Sequence, residues 1–225
     1  TKGYKELNAE VTNLANQRFN YIYPFEDKTK QVSKTSATML AKSLIDAQKN
    51  PVFLQTMPRF MQDVKTFSAA QKGTLIHFTM QSLNFNHVES IENIQGQLDM
   101  MLANELITDE EVKILDAKVF VDFFNSPLGK RMLASKDVKR ENAFMLKKDD
   151  IVISGVIDSY FEENGQWVLV DYKTDYMLYS SKNEKSEAYR PQLEIYKEAL
   201  ESSTNKKVKS GYIYLFDIQE AIEII

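Results

Sequence analysis

Apolar residues recur at helical spacing through the first half of the chain and at alternate positions through much of the second. Leu7, Val11, Leu14 and Phe19 begin a helical pattern that turns irregular from Tyr21 to Phe25. A short helix is predicted over 38–47 and a packed loop over 50–67, where two prolines interrupt scattered Phe and Met. Ser68 and Gln71 form a capping-box pair ahead of a stronger helix carrying Leu75, Ile76, Phe78, Met80 and Leu83. Residues 87–106 read as another amphipathic helix. Thr108 with Glu111 caps the next, which buries Phe120, Phe123 and Phe124, and Ser126-Pro127 places an N-cap and a first-turn proline before a short one.

The period then changes to two. Arg140–Leu146 alternates weakly, and Ile151–Phe161 and Gln166–Lys173 are strands joined by Glu163-Asn164-Gly165, whose Asn-Gly pair suits a tight hairpin turn. Residues 175–188 are polar and read as a loop, and Arg190-Pro191-Gln192 opens a helix with Leu193, Tyr196, Ala199 and Leu200 on one face. Ser210–Phe216 is a strand and Ala221–Ile225 a final edge strand. The order is helices, then strand, strand, strand, helix, strand, which is an α/β (α+β) chain with a helical first half. Two parts are expected: a linker or docking segment over 1–38, and a domain over 39–225 made of a helical part, 39–138, and an α/β core that includes the His77 helix and 139–225.

Composition narrows the function. With 225 residues, 43% of them hydrophobic, and 13 Phe and 11 Tyr, the chain can fill a core. Its net charge of −4 argues against a general nucleic-acid coat, though not against a local basic channel. It has no cysteine, so no disulfide, thiol nucleophile or Cys-ligated metal is available, which fits a cytoplasmic location. No apolar run is long enough to span a membrane, and no signal peptide is visible. The start at Thr1 suggests a piece of a longer protein, and no phosphate-binding G-x-x-x-x-G-K-[ST] loop lies within it.

The hairpin carries the chemistry. Its first strand ends in G-V-I-D with Asp158, and its second in V-D-Y-K with Asp171 and Lys173, which share a face. An acid two residues before a lysine occurs six times in the chain, so spacing alone decides nothing. Only this instance ends an apolar strand beside another strand bearing a carboxylate. Charge at a buried strand end loses several kcal/mol of solvation unless a partner or metal compensates it; a structural ion pair is the alternative to a site. Two acids and a lysine suit metal-dependent phosphodiester hydrolysis. Asp158 and Asp171 would bind Mg²⁺ or Mn²⁺, Lys173 would orient water or stabilise phosphate charge, and Glu141 on the flanking strand offers a third acid. His77 stands mid-helix; on that helix alone it reads as a core histidine bonded to a backbone carbonyl.

Several segments together resemble the C-terminal nuclease domain of the AddA/RexA helicase–nucleases, in the RecB-like branch of the PD-(D/E)xK nucleases. They are A-A-Q-K-G-T-L-I-H ending at His77, S-P-L-G-K-R at 126–131, R-E-N-A-F at 140–144, G-V-I-D at 155–158, V-D-Y-K-T-D at 170–175 and Y-R-P-Q-L-E-I-Y at 189–196. The resemblance implies a restriction-endonuclease-like core, a small mixed sheet flanked by helices. It implies metal ligands at His77, Asp158, Asp171 and the Tyr172 carbonyl, and a catalytic Lys173, with Glu141 at an acidic position. Gln192 and Tyr196 then belong to a motif that guides the DNA strand. The implied activity is a Mg²⁺-dependent deoxyribonuclease, Mn²⁺ substituting, within an ATP-dependent helicase–nuclease that processes double-strand ends for recombinational repair. The implied partners are single-stranded DNA, a second subunit of the AddB/RexB type and a helicase region of the same polypeptide. The alternatives are a catalytically silent docking module and a stand-alone nuclease of the same superfamily.

Overall fold

The long β-hairpin sets the frame on which the other elements are placed. A computed structural model describes residues 9–21, 24, 33–46, 67–174 and 182–225; most of the expected aromatic segment at 21–25, most of the 50–67 loop and the start of the 175–188 loop lie outside them. The chain divides into two units, Thr1–Ser33 and Lys34–Ile225. In the first, α1 spans Ala9–Phe19. The second contains β1 (Lys34–Ser36), α2 (Ala37–Asp46), α3 (Ala69–Ser82), α4 (Ile91–Ala103), α5 (Asp109–Ile114), α6 (Ala117–Asn125) and α7 (Pro127–Ala134). It continues with β2 (Val138–Lys148), β3 (Ile151–Glu163), β4 (Gln166–Lys173), α8 (Lys182–Thr204), β5 (Val208–Leu215) and β6 (Glu220–Glu223). Among the described residues no helix is long and apolar enough to cross a membrane.

The caps are built from the residues that signal them. Ser68 and Gln71 bond reciprocally ahead of α3, as do Thr108 and Glu111 ahead of α5, and Ser126 accepts from Gly129 N–H with Pro127 in the first turn of α7. Asn164 and Gly165 both have positive φ, 55° and 79°, which the two-residue hairpin turn requires.

Two differences from the sequence pattern stand out. Lys34–Ser36 pairs in parallel with β3; three residues without an apolar side chain carry no strand signal. The expected start of the last helix at Arg190 is corrected: α8 begins at Lys182 and contains Pro191 in its interior. Its polar first turns resemble a loop in composition, yet Ala188 and Tyr189 are buried. Proline removes one N–H donor from the ladder, and packing carries the helix past it.

The sheet is mixed, in the order β1-β3-β4-β5-β6, with β2 along the other edge of β3. One edge of β3 is shared: β4 pairs with it through Ser159↔Val170, and β1 takes Val152–Ser154. Two cores lie against this sheet. One, with α3–α7, holds Phe120, Phe123, Phe161, Val168, Val170 and Tyr214. The other, with α2 and α8, holds Ile153, Ile157, Leu169, Leu193, Ile213 and Leu215.

The hairpin strands change faces at one level. Val138 and Phe161 belong to the first core, whereas Phe144, Leu146, Ile153 and Ile157 belong to the second. Uninterrupted alternation would put 157 and 161, or 138 and 144, on one side. The reversal centres on Glu141, in left-handed backbone at φ 47°, and on Asp158, which faces it between the pairs Arg140↔Ser159 and Asn142↔Ile157. A non-glycine residue there stores about 1 kcal/mol or more of strain.

Two glycines test the packing. A Cβ on Gly129 would stand 2.1 Å from the Phe123 carbonyl oxygen and 2.7 Å from Phe124 Cα, whereas one on Gly96, inside α4, meets nothing within 4 Å. Gly129→Ala is expected to destabilise the chain by about 1–3 kcal/mol. Gly96→Ala should stabilise it by about 0.5–1 kcal/mol. Urea unfolding midpoints check both.

Candidate metal centre

β3 and β4 separate immediately beyond the Ser159↔Val170 pair. Tyr172 N–H donates to the Asp158 carboxylate at 2.8 Å, across the split. A buried N–H needs a partner, and here an acidic side chain replaces the ladder acceptor. On the other side of the same residue, His77 Nε2 lies 3.0 Å from the Tyr172 carbonyl oxygen. Helix α3 approaches closely enough that a Cβ on Gly73, one turn before His77, would stand 3.0 Å from Thr174 Oγ1. Glycine there clears the approach.

A carbonyl can only accept, so His77 Nε2 carries the hydrogen of that contact. Nδ1 then faces Asp158 Oδ1 at 3.3 Å and Glu141 Oε1 at 3.9 Å. One donor atom from each of His77, Glu141 and Asp158 falls within 4.8 Å of the others. Two carboxylates at that separation repel by roughly 3–4 kcal/mol at an effective dielectric of about 20. A proton or a cation among these three atoms relieves the repulsion.

The electrostatics agree. Burial, and then repulsion from Asp158, raises Glu141 above its ordinary value. Burial disfavours the charged form of His77, but the bond to Asp158 and its charge outweigh this and raise the imidazole. Burial likewise drives Asp171 upward, against the Lys173 ammonium.

Asp171 is 1% exposed and stands outside the closest trio, near enough for its charge to act on His77 and to feel Asp158. Its Oδ1 accepts from Gln192 Nε2 at 3.2 Å. Lys173 Nζ lies 2.6 Å from Oδ2, pairing an ammonium with this buried oxygen. Gln192 also donates to the Tyr196 hydroxyl at 2.6 Å. Both side chains are buried. Gln192 therefore lies well inside α8, which starts at Lys182, with its amide turned to Asp171 and Tyr196. Lys173 Nζ lies 5.5 Å from the centre of the Tyr189 ring.

The structure thus gathers His77, Glu141, Asp158 and the Tyr172 backbone, with Asp171, Lys173, Gln192 and Tyr196 adjoining. The donors are carboxylate oxygens and one imidazole nitrogen with a second N–H fixed by a backbone carbonyl, a set that fits a hard divalent cation. The Tyr172 carbonyl retains a second lone pair. The role of Gly73 was not read from sequence, although G-T-L-I-H contains it.

A splayed mixed sheet presenting acids and a lysine at the split defines a nuclease class. Residues 52–223 match the profile of the PD-(D/E)XK nuclease superfamily, and the chain belongs to that superfamily. Over 99% of its length it is 36% identical to an AddA-type ATP-dependent helicase/nuclease protein of Alkaliphilus oremlandii, and over 92% it is 38% identical to that of Alkaliphilus metalliredigens. The corresponding protein of Clostridioides difficile is 31% identical over 92% of the chain. The chain spans 20%, 19% and 19% of these relatives, and is homologous to their nuclease region.

The shifts at the cluster share a sign. A folded-state value above the ordinary one means that the folded chain binds more protons. Stability is then greatest below the ordinary values, 3.8 for Asp171, 4.5 for Glu141 and 6.5 for His77, and is lost as pH rises through the raised ones. Without divalent cation, the melting temperature is expected to fall from about pH 6 to about pH 8. Saturating Mn²⁺ should flatten that fall. Scanning calorimetry at both pH values checks this, and a flat cation-free profile would contradict it.

Proposed function

We propose that this chain is the DNA-hydrolysing domain of an ATP-dependent helicase–nuclease and cleaves phosphodiester bonds with bound Mg²⁺ or Mn²⁺. One observation carries the reading: His77, Glu141 and Asp158, from a helix and two strands, converge within 4.8 Å. Such an ion, when bound, activates water and draws charge from phosphate. His77, Asp158 and Glu141 would hold it, with Asp171 and the Tyr172 carbonyl as the next donors.

Lys173, beside Asp171 at 2.6 Å, would meet the phosphate or hold a proton of the attacking water. Asp158, Asp171, Lys173 and Glu141 form the catalytic set in this reading. Gln192 steadies Asp171, and Tyr196 steadies Gln192; the strand-guiding role that the family pattern gives this pair would act from the same place. Their burial favours support over open contact with DNA.

The relatives' names, and their roughly fivefold greater length, support a helicase region in the same polypeptide. That region would deliver a single strand from a duplex end, with residues 1–38 as the connection. A partner of the AddB/RexB type, recombinational repair and a cytoplasmic setting complete the proposal. A metal-free docking module has less support, because it gives no reason to crowd two acids round one histidine, with a third buried beside them.

Cleavage of end-labelled single-stranded DNA tests the reading. Mg²⁺ or Mn²⁺ should support it and EDTA abolish it. Asp171→Ala and Lys173→Ala are each expected to lower the rate by about 100-fold or more, the scale of losing one preorganised charge contact. Cleavage that persists in EDTA, or is unchanged in Asp171→Ala, would sink the assignment.

A further inference from the structure

We propose that Arg140 is a positioning residue for the metal-binding cluster, fixing the carboxyl end of the His77 helix to the strand residue beside Glu141. This rests on the metal-site reading above and extends it to a side chain outside the ligand set.

Arg140 Nη1 donates to the Leu83 carbonyl at 2.6 Å and to the Met80 carbonyl at 3.2 Å. Leu83 is the C-cap of α3. These are the carbonyls a helix leaves without internal partners, at the negative end of its dipole. The guanidinium carbon sits 4.4 Å from the centre of the Phe85 ring, which meets Phe124 edge-on at 4.9 Å. Arg140 is half-buried and makes no ion pair among the described residues. Its charge is directed to the helix end instead of to an acid.

Helix α3 is held elsewhere by its capping box, by Lys72–Asp217 and by His77–Tyr172. Its hydrogen bonds to β2, among the described residues, are those of Arg140. The next residue is Glu141, in left-handed backbone. Arg140 thus ties the two supports whose ligand atoms, Glu141 Oε1 and His77 Nδ1, stand 3.9 Å apart, and it touches neither atom. Lysine is a poor replacement: its ammonium lacks the planar face that Arg140 lays on the Phe85 ring. Loss of a residue that orients ligands typically weakens metal binding about 10–100-fold.

The test is calorimetric titration of the 225-residue chain with MnCl₂, paired with melting curves. Arg140→Lys and Arg140→Met are compared with Arg131→Met. Arg131 is the matched control, a half-buried arginine that joins α7 to Glu163 and Tyr212 at the far end of the hairpin. Both Arg140 variants should bind Mn²⁺ about 10-fold or more weakly, and Arg131→Met should bind like wild type despite a lower melting temperature. In the cation-free chain, the ¹⁵N shifts of the His77 ring should move in Arg140→Lys and stay in place in Arg131→Met. Wild-type binding with unchanged affinity in Arg140→Lys overturns this inference alone. Failure of Arg140→Lys to fold also overturns it, because the role is then structural. No Mn²⁺ binding by wild type removes the metal-site reading and this inference together.

Discussion

The backbone of Tyr172 holds three elements to one point. Its N–H binds the Asp158 carboxylate on β3, and its carbonyl meets His77 on α3. Both groups become available because β4 leaves β3 just before them. Buried backbone groups must find partners, and the partners here are the side chains that also make the candidate metal centre. Fold and site are consequently one problem: an apolar replacement at Asp158 removes a possible ligand and also orphans a buried donor.

The two ends of the β3–β4 pairing treat charge in opposite ways. At the turn end, Glu163 receives two bonds from Arg131 and lies near Lys209, and Arg131 above all holds its carboxyl down to about 2. At the other end, Glu141 and Asp158 share one histidine, and the nearest ammonium, Lys173, is engaged with Asp171. The first arrangement satisfies its acid locally. The second leaves negative charge in excess and places strained backbone beside it. Local frustration of this kind concentrates at functional sites.

Short-range signals were legible where the physics is short-range. The Ser68, Thr108 and Ser126 caps and the Asn164-Gly165 turn each depend on a few neighbouring residues, and each is visible in the sequence. The β1 strand was not, because Lys-Thr-Ser has no apolar residue and its pairing is set by β3. The first turns of α8 were hidden by polar composition ahead of a proline. The face reversal at Glu141 and Asp158 escaped because alternation rules assume steady twist. His77 shows the same divide. Its helix suggested a core histidine bonded to a carbonyl, and that bond exists; the two carboxylates on its other nitrogen come from strands far along the chain.

The reversal in the separate β2–β3 hairpin has a consequence for its length. Glu141 and Asp158 face one another without an extra residue on either strand, so the same pairing sum runs from Val138↔Phe161 to Lys148↔Ile151. Beyond the acids the hairpin is an arm whose length the site does not use. Matched additions to both strands at its tip would leave Glu141 and Asp158 opposed. An unmatched residue between tip and acids would shift the register and turn one carboxylate toward the wrong face.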